Sequence, residues 1–156
     1  MWILVADASQ ARLFSAKPKY SAPGEFEFDS FETVNEWNND EGRAKNQDLE
    51  TDRPGRFYDR TGSGEGIGEK SGWEPAEEAK THEARAFARE LIEYLTSNLQ
   101  KGRFEKLTLA APPKFLGIFR DASNPTLTKV INTEIGKDLS NVADHDLRER
   151  LPELMG

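Results

Sequence analysis

The chain has 156 residues, of which 36% are hydrophobic and 31% charged, with a net charge of -7. One domain with a single core is the expectation at this length, and it would bury roughly 68–70% of its unfolded surface. The absence of cysteine excludes disulfides, thiolate metal sites and a cysteine nucleophile, and the acidic balance argues against broad nonspecific binding to nucleic acid, which needs a basic surface to displace counterions.

The opening run Met1-Trp2-Ile3-Leu4-Val5-Ala6 lacks a basic leader region and stops at Asp7. It reads as a buried first strand rather than a signal peptide or membrane span. With no cysteine to oxidise, a cytoplasmic setting is expected. Asp7-Ala8-Ser9-Gln10 supplies turn chemistry, and Ala11 to Ala16 reads as a second strand. Pro18 and Pro23-Gly24 mark the next break. From Glu25 to Val34, phenylalanines at 26, 28 and 31 fall among acids, and this period of two predicts a strand with one wet face. Three such strands with short links form an antiparallel meander.

Residues 35–74 carry almost no apolar periodicity. They hold Asn38-Asn39-Asp40, Pro54-Gly55 and the glycine-rich run of Gly62, Gly64, Gly66 and Gly68. Such a stretch cannot bury enough apolar surface to offset its ordering entropy, so it reads as a long polar loop inserted into a domain spanning 1–156. Its cations Arg43, Lys45, Arg53, Arg56 and Arg60 interleave with Asp48, Glu50, Asp52 and Asp59, as on a solvated mixed-charge loop. Trp37, Phe57, Tyr58 and Trp73 are candidate anchors.

Pro75 suits the first position of a helix, and Glu77 and Glu78 favour its positive end. Ala84, Phe87, Ala88, Leu91, Ile92, Leu95 and Leu99 recur at helical spacing up to a stop at Lys101-Gly102, which predicts a helix of roughly 40 Å. Phe104 to Ala111 reads as a strand ended by Pro112-Pro113, and Lys114 to Arg120 as a short helix. Asn124-Pro125 is a turn and helix start. Lys129 to Ile135 reads as the last strand, with a helical reading of part of it left open, and Asp144 to Leu154 as a closing helix with Leu147, Leu151 and Leu154 inward. The expected class is α/β, in the order β-β-β-α-β-α-β-α. It folds into a five-stranded mixed sheet covered by helices. Ribonuclease H-like folds share this order, as, closely, does the middle domain of archaeal and eukaryotic peptide-chain release factors.

Three blocks resemble the bacterial host-attachment proteins, a family described as required for attachment to host cells. The first is Trp2 to Phe14, with Asp7 and Arg12. The second is Ala111-Pro112-Pro113-Lys114-Phe115-Leu116-Gly117-Ile118-Phe119-Arg120. The third is Lys137-Asp138-Leu139 with the leucine-spaced helix after it. The resemblance implies a distant likeness to the release-factor middle domain, and hence a ribosome or tRNA as partner. In release factors a Gly-Gly-Gln loop precedes a long helix. Here Gly62 to Gly68 holds that position, but the sequence has no Gly-Gly pair.

No catalytic constellation assembles from the residues. A phosphate-binding loop is ruled against by Glu69 before Lys70-Ser71, and by Ile67 and Glu69 where a third glycine should fall. Asp7 ends the first strand, where ribonuclease H-type nucleases place a metal-binding acid, but Ala110-Ala111 occupies the matching end of the fourth strand. Asp7 is therefore expected to accept turn amides or to pair with Arg12. His82 and His145 show no metal-ligand spacing, so neither metal nor cofactor is expected. The most informative constellation is Pro112-Pro113 through Phe115 and Gly117 to Arg120. It presents a helix N-terminus at the carboxyl end of a strand, where α/β sheets often bind ligands. The implied function is a noncatalytic intracellular interaction domain acting indirectly in host attachment. The alternatives are a release-factor-like ribosome-associated rescue factor and a metal-dependent hydrolase or nuclease.

Overall fold

The structure is a computed structural model that describes residues 1–38 and 75–155. The strands are β1 (Trp2–Ala6), β2 (Gln10–Ala22), β3 (Glu25–Asn38), β4 (Leu107–Ala110) and β5 (Ile131–Ile135). The helices are α1 (Pro75–Gln100), α2 (Pro113–Ala122), α3 (Pro125–Thr128) and α4 (Asp144–Met155). The strands form one five-stranded mixed sheet in the order β3-β2-β1-β4-β5. β1 runs antiparallel to β2 and parallel to β4; β3 and β5 close the edges, antiparallel and parallel to their neighbours. The α/β class and the mixed sheet agree with the sequence reading. The short α3, capped by the Asn124 side chain accepting from the Leu127 amide at 2.8 Å, adds an element before β5.

β1 is buried along its whole length because both faces of the sheet are covered. Trp2, Leu4 and Ala6 point into a cluster built by α1, α2 and α3, where Trp2 stacks on Phe104 at 4.5 Å. Ile3 and Val5 point into a second cluster under α4. Alternation is lost from the sequence for that reason. The inward stripe of α1 is the expected one, with Ala84, Phe87, Ala88, Leu91, Ile92 and Leu95 all buried. Gly102 ends that helix at φ +74°, a left-handed turn that brings the Arg103 amide back to the Asn98 carbonyl at 3.0 Å.

Two strands outrun their sequence boundaries. β2 continues through Pro18 to Ala22 instead of breaking there. The Ala16 amide points toward β1, donating to the Met1 carbonyl at 2.9 Å. Two residues on, Pro18 faces the same way, but β1 has already ended, so its missing N–H costs no ladder bond. β3 continues past Val34 to Asn38, where Trp37 packs edge-on against Tyr94 with centroids 5.0 Å apart. A register shift beside Asp29 explains the odd spacing of the phenylalanines. One extra residue in β3 restores Phe31 to the face already used by Phe26 and Phe28. The glycine-rich run lies outside the described residues.

Leu91→Ala is expected to lower the unfolding free energy by about 2–5 kcal/mol in denaturant titrations, because the side chain is fully buried between α1 and the sheet. Val34→Thr, on the exposed edge strand, should stay within about 0.5 kcal/mol of the parent.

Candidate functional site

A cleft of about 330 Å³ opens at the carboxyl ends of β1 and β4. Three elements build it. The turn after β1 contributes Asp7, Ala8 and Ser9; α1 contributes Lys80, Thr81, Glu83 and Ala84; the start of α2 contributes Pro112, Lys114, Phe115 and Ile118. The local sequence explains the third wall. Pro112 and Pro113 end β4 and start α2 without any side-chain cap, and no acid lies in the first turn of α2. The positive end of that helix therefore opens onto the cleft. Phe115 is buried in the floor and meets Phe87 of α1 at 6.2 Å. Lys80 and Lys114 set cations at the rim beside the acids Asp7 and Glu83, over an apolar base.

Asp7 joins this cleft to a polar clasp on the other side of the turn. Its Oδ1 accepts the amides of Ser9 at 2.7 Å and Gln10 at 2.9 Å, which fixes the tight reversal from β1 to β2. Its Oδ2 accepts the Ser140 hydroxyl at 2.7 Å. That hydroxyl also lies 2.5 Å from Asp138 Oδ1, which accepts the Ser140 amide at 3.1 Å. A hydroxyl carries one proton, so the two carboxylates compete for it. Arg12 reaches past Asp7 to Asp144 at 2.6 Å and donates to the carbonyls of Leu139 and Ser140. Gln10 donates to Asn141 Oδ1 at 3.2 Å. The turn that ends β1 is thus tied to the segment leading into α4. Of the two roles expected for Asp7, it takes the turn amides, while Arg12 pairs elsewhere.

Asp7, Pro112 and Phe115 meet at the cleft, and Asp7, Arg12 and Asp138 meet at the clasp. The other sequence candidates lie apart. Pro113 is exposed at the head of α2, and Lys137 is exposed after β5. Arg120 pairs with Glu134 of β5, donating from Nε at 2.9 Å and also from Nη2. The hydrogen bond and charge of Glu134 raise the guanidinium pKa above its ordinary value. Gly117 was expected to permit a close approach, but a Cβ there would meet nothing within 4 Å. Helix geometry at that position makes no demand for glycine. Gly62, Gly64, Gly66 and Gly68 lie outside the described residues.

Sequence reasoning missed Ser140, Lys80, Thr81 and Ile118. Lys80 and Thr81 sit one helical turn before Ala84, so the apolar stripe of α1 did point toward them. Ser140 gave no signal beyond its spacing from Asp138. The reading of His145 also changes. His145, Asp146 and Glu149 bring potential ligand atoms within 4.8 Å of one another on the exposed side of α4, an arrangement that His-x-x-x-Glu spacing permits. At the carboxyl ends of β1 and β4, Ala110 and Ala111 are fully buried and offer no acid opposite Asp7.

A family model described as "Protein required for attachment to host cells" matches residues 2–151. The chain belongs to this host-attachment family. No curated protein matches it. The matched span covers every described strand, all three walls of the cleft and the clasp. Among the described residues, no helix of this family member is long and apolar enough to cross a membrane.

Arg12→Met is expected to cost about 1–3 kcal/mol, since it removes the charged donor that ties β2 to the Leu139 and Ser140 carbonyls and to Asp144. Asp144→Asn should cost less, about 1 kcal/mol or below, because the Asp144 side chain is 50% exposed and screened. Urea titration of both variants checks the ranking.

Proposed function

We propose that the chain is a noncatalytic interaction domain that acts indirectly, from inside the cell, in attachment to host cells, and that it receives its partner in the cleft at the carboxyl ends of β1 and β4. One observation carries the noncatalytic part. The carboxylate of Asp7 is taken up by two turn amides and the Ser140 hydroxyl, and alanines occupy the strand end beside it. Two-metal hydrolysis needs several carboxylates converging on ions about 4 Å apart, and Asp138 and Asp144 bond to the clasp instead. The apolar floor and the mixed-charge rim support recognition of a partner that combines an apolar group with polar contacts. The intracellular part rests on composition, since a chain without cysteine suits a reducing compartment.

A second reading is a release-factor-like role on the ribosome or with tRNA. What favours it is the order of elements along the chain, three strands followed by a long helix and two further strands each preceded by helix, which is the element order of ribonuclease H-like folds and close to that of the release-factor middle domain. The position of Gly62 to Gly68 shortly before the long helix adds to it.

The test uses cells lacking the gene, complemented with variants of confirmed fold. Ile118→Glu, which puts a charge on the cleft floor, is expected to abolish the rescue of attachment. Asp7→Asn, which keeps an acceptor for the turn amides, is expected to retain it. Loss of rescue in Asp7→Asn together with metal-dependent cleavage by the parent protein would replace this reading with a hydrolase. Cosedimentation with ribosomes at low salt, weakened by deletion of residues 61–70, would favour the second reading.

A further inference from the structure

The hairpin of β2 and β3 carries a row of rings on its α4-facing side. Phe14 stacks on Phe31 at 4.6 Å, Phe31 meets Phe28 at 5.3 Å, Phe28 meets Phe26 at 5.6 Å, and Phe26 meets Tyr20 at 5.4 Å. The row begins in the core and ends in solvent, from Phe14 at 0% exposure to Tyr20 at 67%. Core packing accounts for the first members and leaves the last unexplained.

Tyr20 and Phe26 form one wall of a groove of about 490 Å³. Arg103, Phe104 and Lys106 from the connection between α1 and β4 line it too, with Asn132 and Thr133 of β5. These are the amino ends of the parallel strands, so the groove lies at the opposite end of the sheet from the cleft, and its reading stands independently of that site. Lys101, Arg103 and Lys106 cluster in this connection, with Glu105 the one acid among them. Among the described residues, no carboxylate lies within salt-bridge distance of these three cations. In a chain of charge -7, the groove lining sets Arg103 and Lys106 against the single acid Glu105.

We propose that this groove binds single-stranded nucleic acid, stacking a base on Tyr20 and holding phosphate with Arg103 and Lys106. A ring face accepts any base, whereas a duplex keeps its base faces inside its own stack, so an exposed aromatic selects unpaired strands. Arg103 is set for phosphate: Nη1 donates to Asn98 Oδ1 at 3.1 Å, which orients the guanidinium and leaves further N–H groups for an anion. Asn132 and Thr133 supply polar groups for a base edge or a sugar. The acidic remainder of the molecule confines binding to a short site with strong salt dependence.

Fluorescence anisotropy with labelled oligouridine and oligothymidine tests this on the full chain. Saturable binding that weakens with salt is expected, with a blunt duplex of the same length binding more weakly. Tyr20→Ala and Lys106→Glu should each weaken binding by at least about five-fold without a change in thermal unfolding, because both side chains are exposed. Tyr20→Phe should bind like the parent, and so should Lys114→Ala in the opposite cleft. The RNA and DNA arms identify which sugar the site prefers. Absence of saturable binding to either strand at low salt, or parent-like binding by both Tyr20→Ala and Lys106→Glu, would overturn the proposal.

Discussion

The burial of β1 on both faces and its pairing on both edges is the constraint on which the rest of the structure depends. Ile3, Leu4, Val5 and Ala6 have no exposed surface. Each larger side chain contributes about 1.5–3 kcal/mol of transfer free energy. A strand in that position leaves its chain little freedom where it emerges. The turn at Asp7 must reverse within a few residues and deliver β2 antiparallel along the same edge. The carboxylate of Asp7 meets that demand by accepting the two amides that the reversal leaves without ladder partners.

The same geometry shapes the functional surface. The ends of β1 and β4 lie side by side, so the turn after one and the helix after the other become walls of a single cleft. In parallel α/β sheets that location is where ligands are commonly received. It brings together a helix N-terminus, Lys80 and Lys114, the acids Asp7 and Glu83, and an apolar floor. The acids nearby are held by Ser140 and Arg12, which tie the turn to the segment before α4. The chain belongs to the host-attachment family, and the proposal that it acts by binding rests on the disposition of these groups.

Much of the fold was legible because its signals are local. The long apolar stripe announced α1, the double proline announced the start of α2, and the Asp-Ala-Ser-Gln turn announced the reversal after β1. What was hidden depends on neighbours distant in sequence. Pro18 looked like a break, and only the early end of β1 makes it harmless. Phe31 broke the period of two until a bulge restored its face. Arg12 could be placed on a strand, yet its partner Asp144 lies 132 residues away, and Ser140 is 133 residues from Asp7. The apolar stripe of α1 put Lys80 on the inward side of the helix, but the cleft it lines forms only where α1 crosses the ends of β1 and β4. Gly117 shows the opposite failure, since a glycine that looked required for close approach has open space around it.

The claim that the acid ending β1 belongs to the fold and not to a reaction is tested most directly by a double-mutant cycle between Asp7 and Ser140, read as unfolding free energies of Asp7→Ala, Ser140→Ala and the pair. The account predicts a coupling of about 0.5–3 kcal/mol, as for groups in one hydrogen-bond network. Additive effects, with Asp7→Ala as stable as the parent, would contradict it and mark the carboxylate as one kept free for other work.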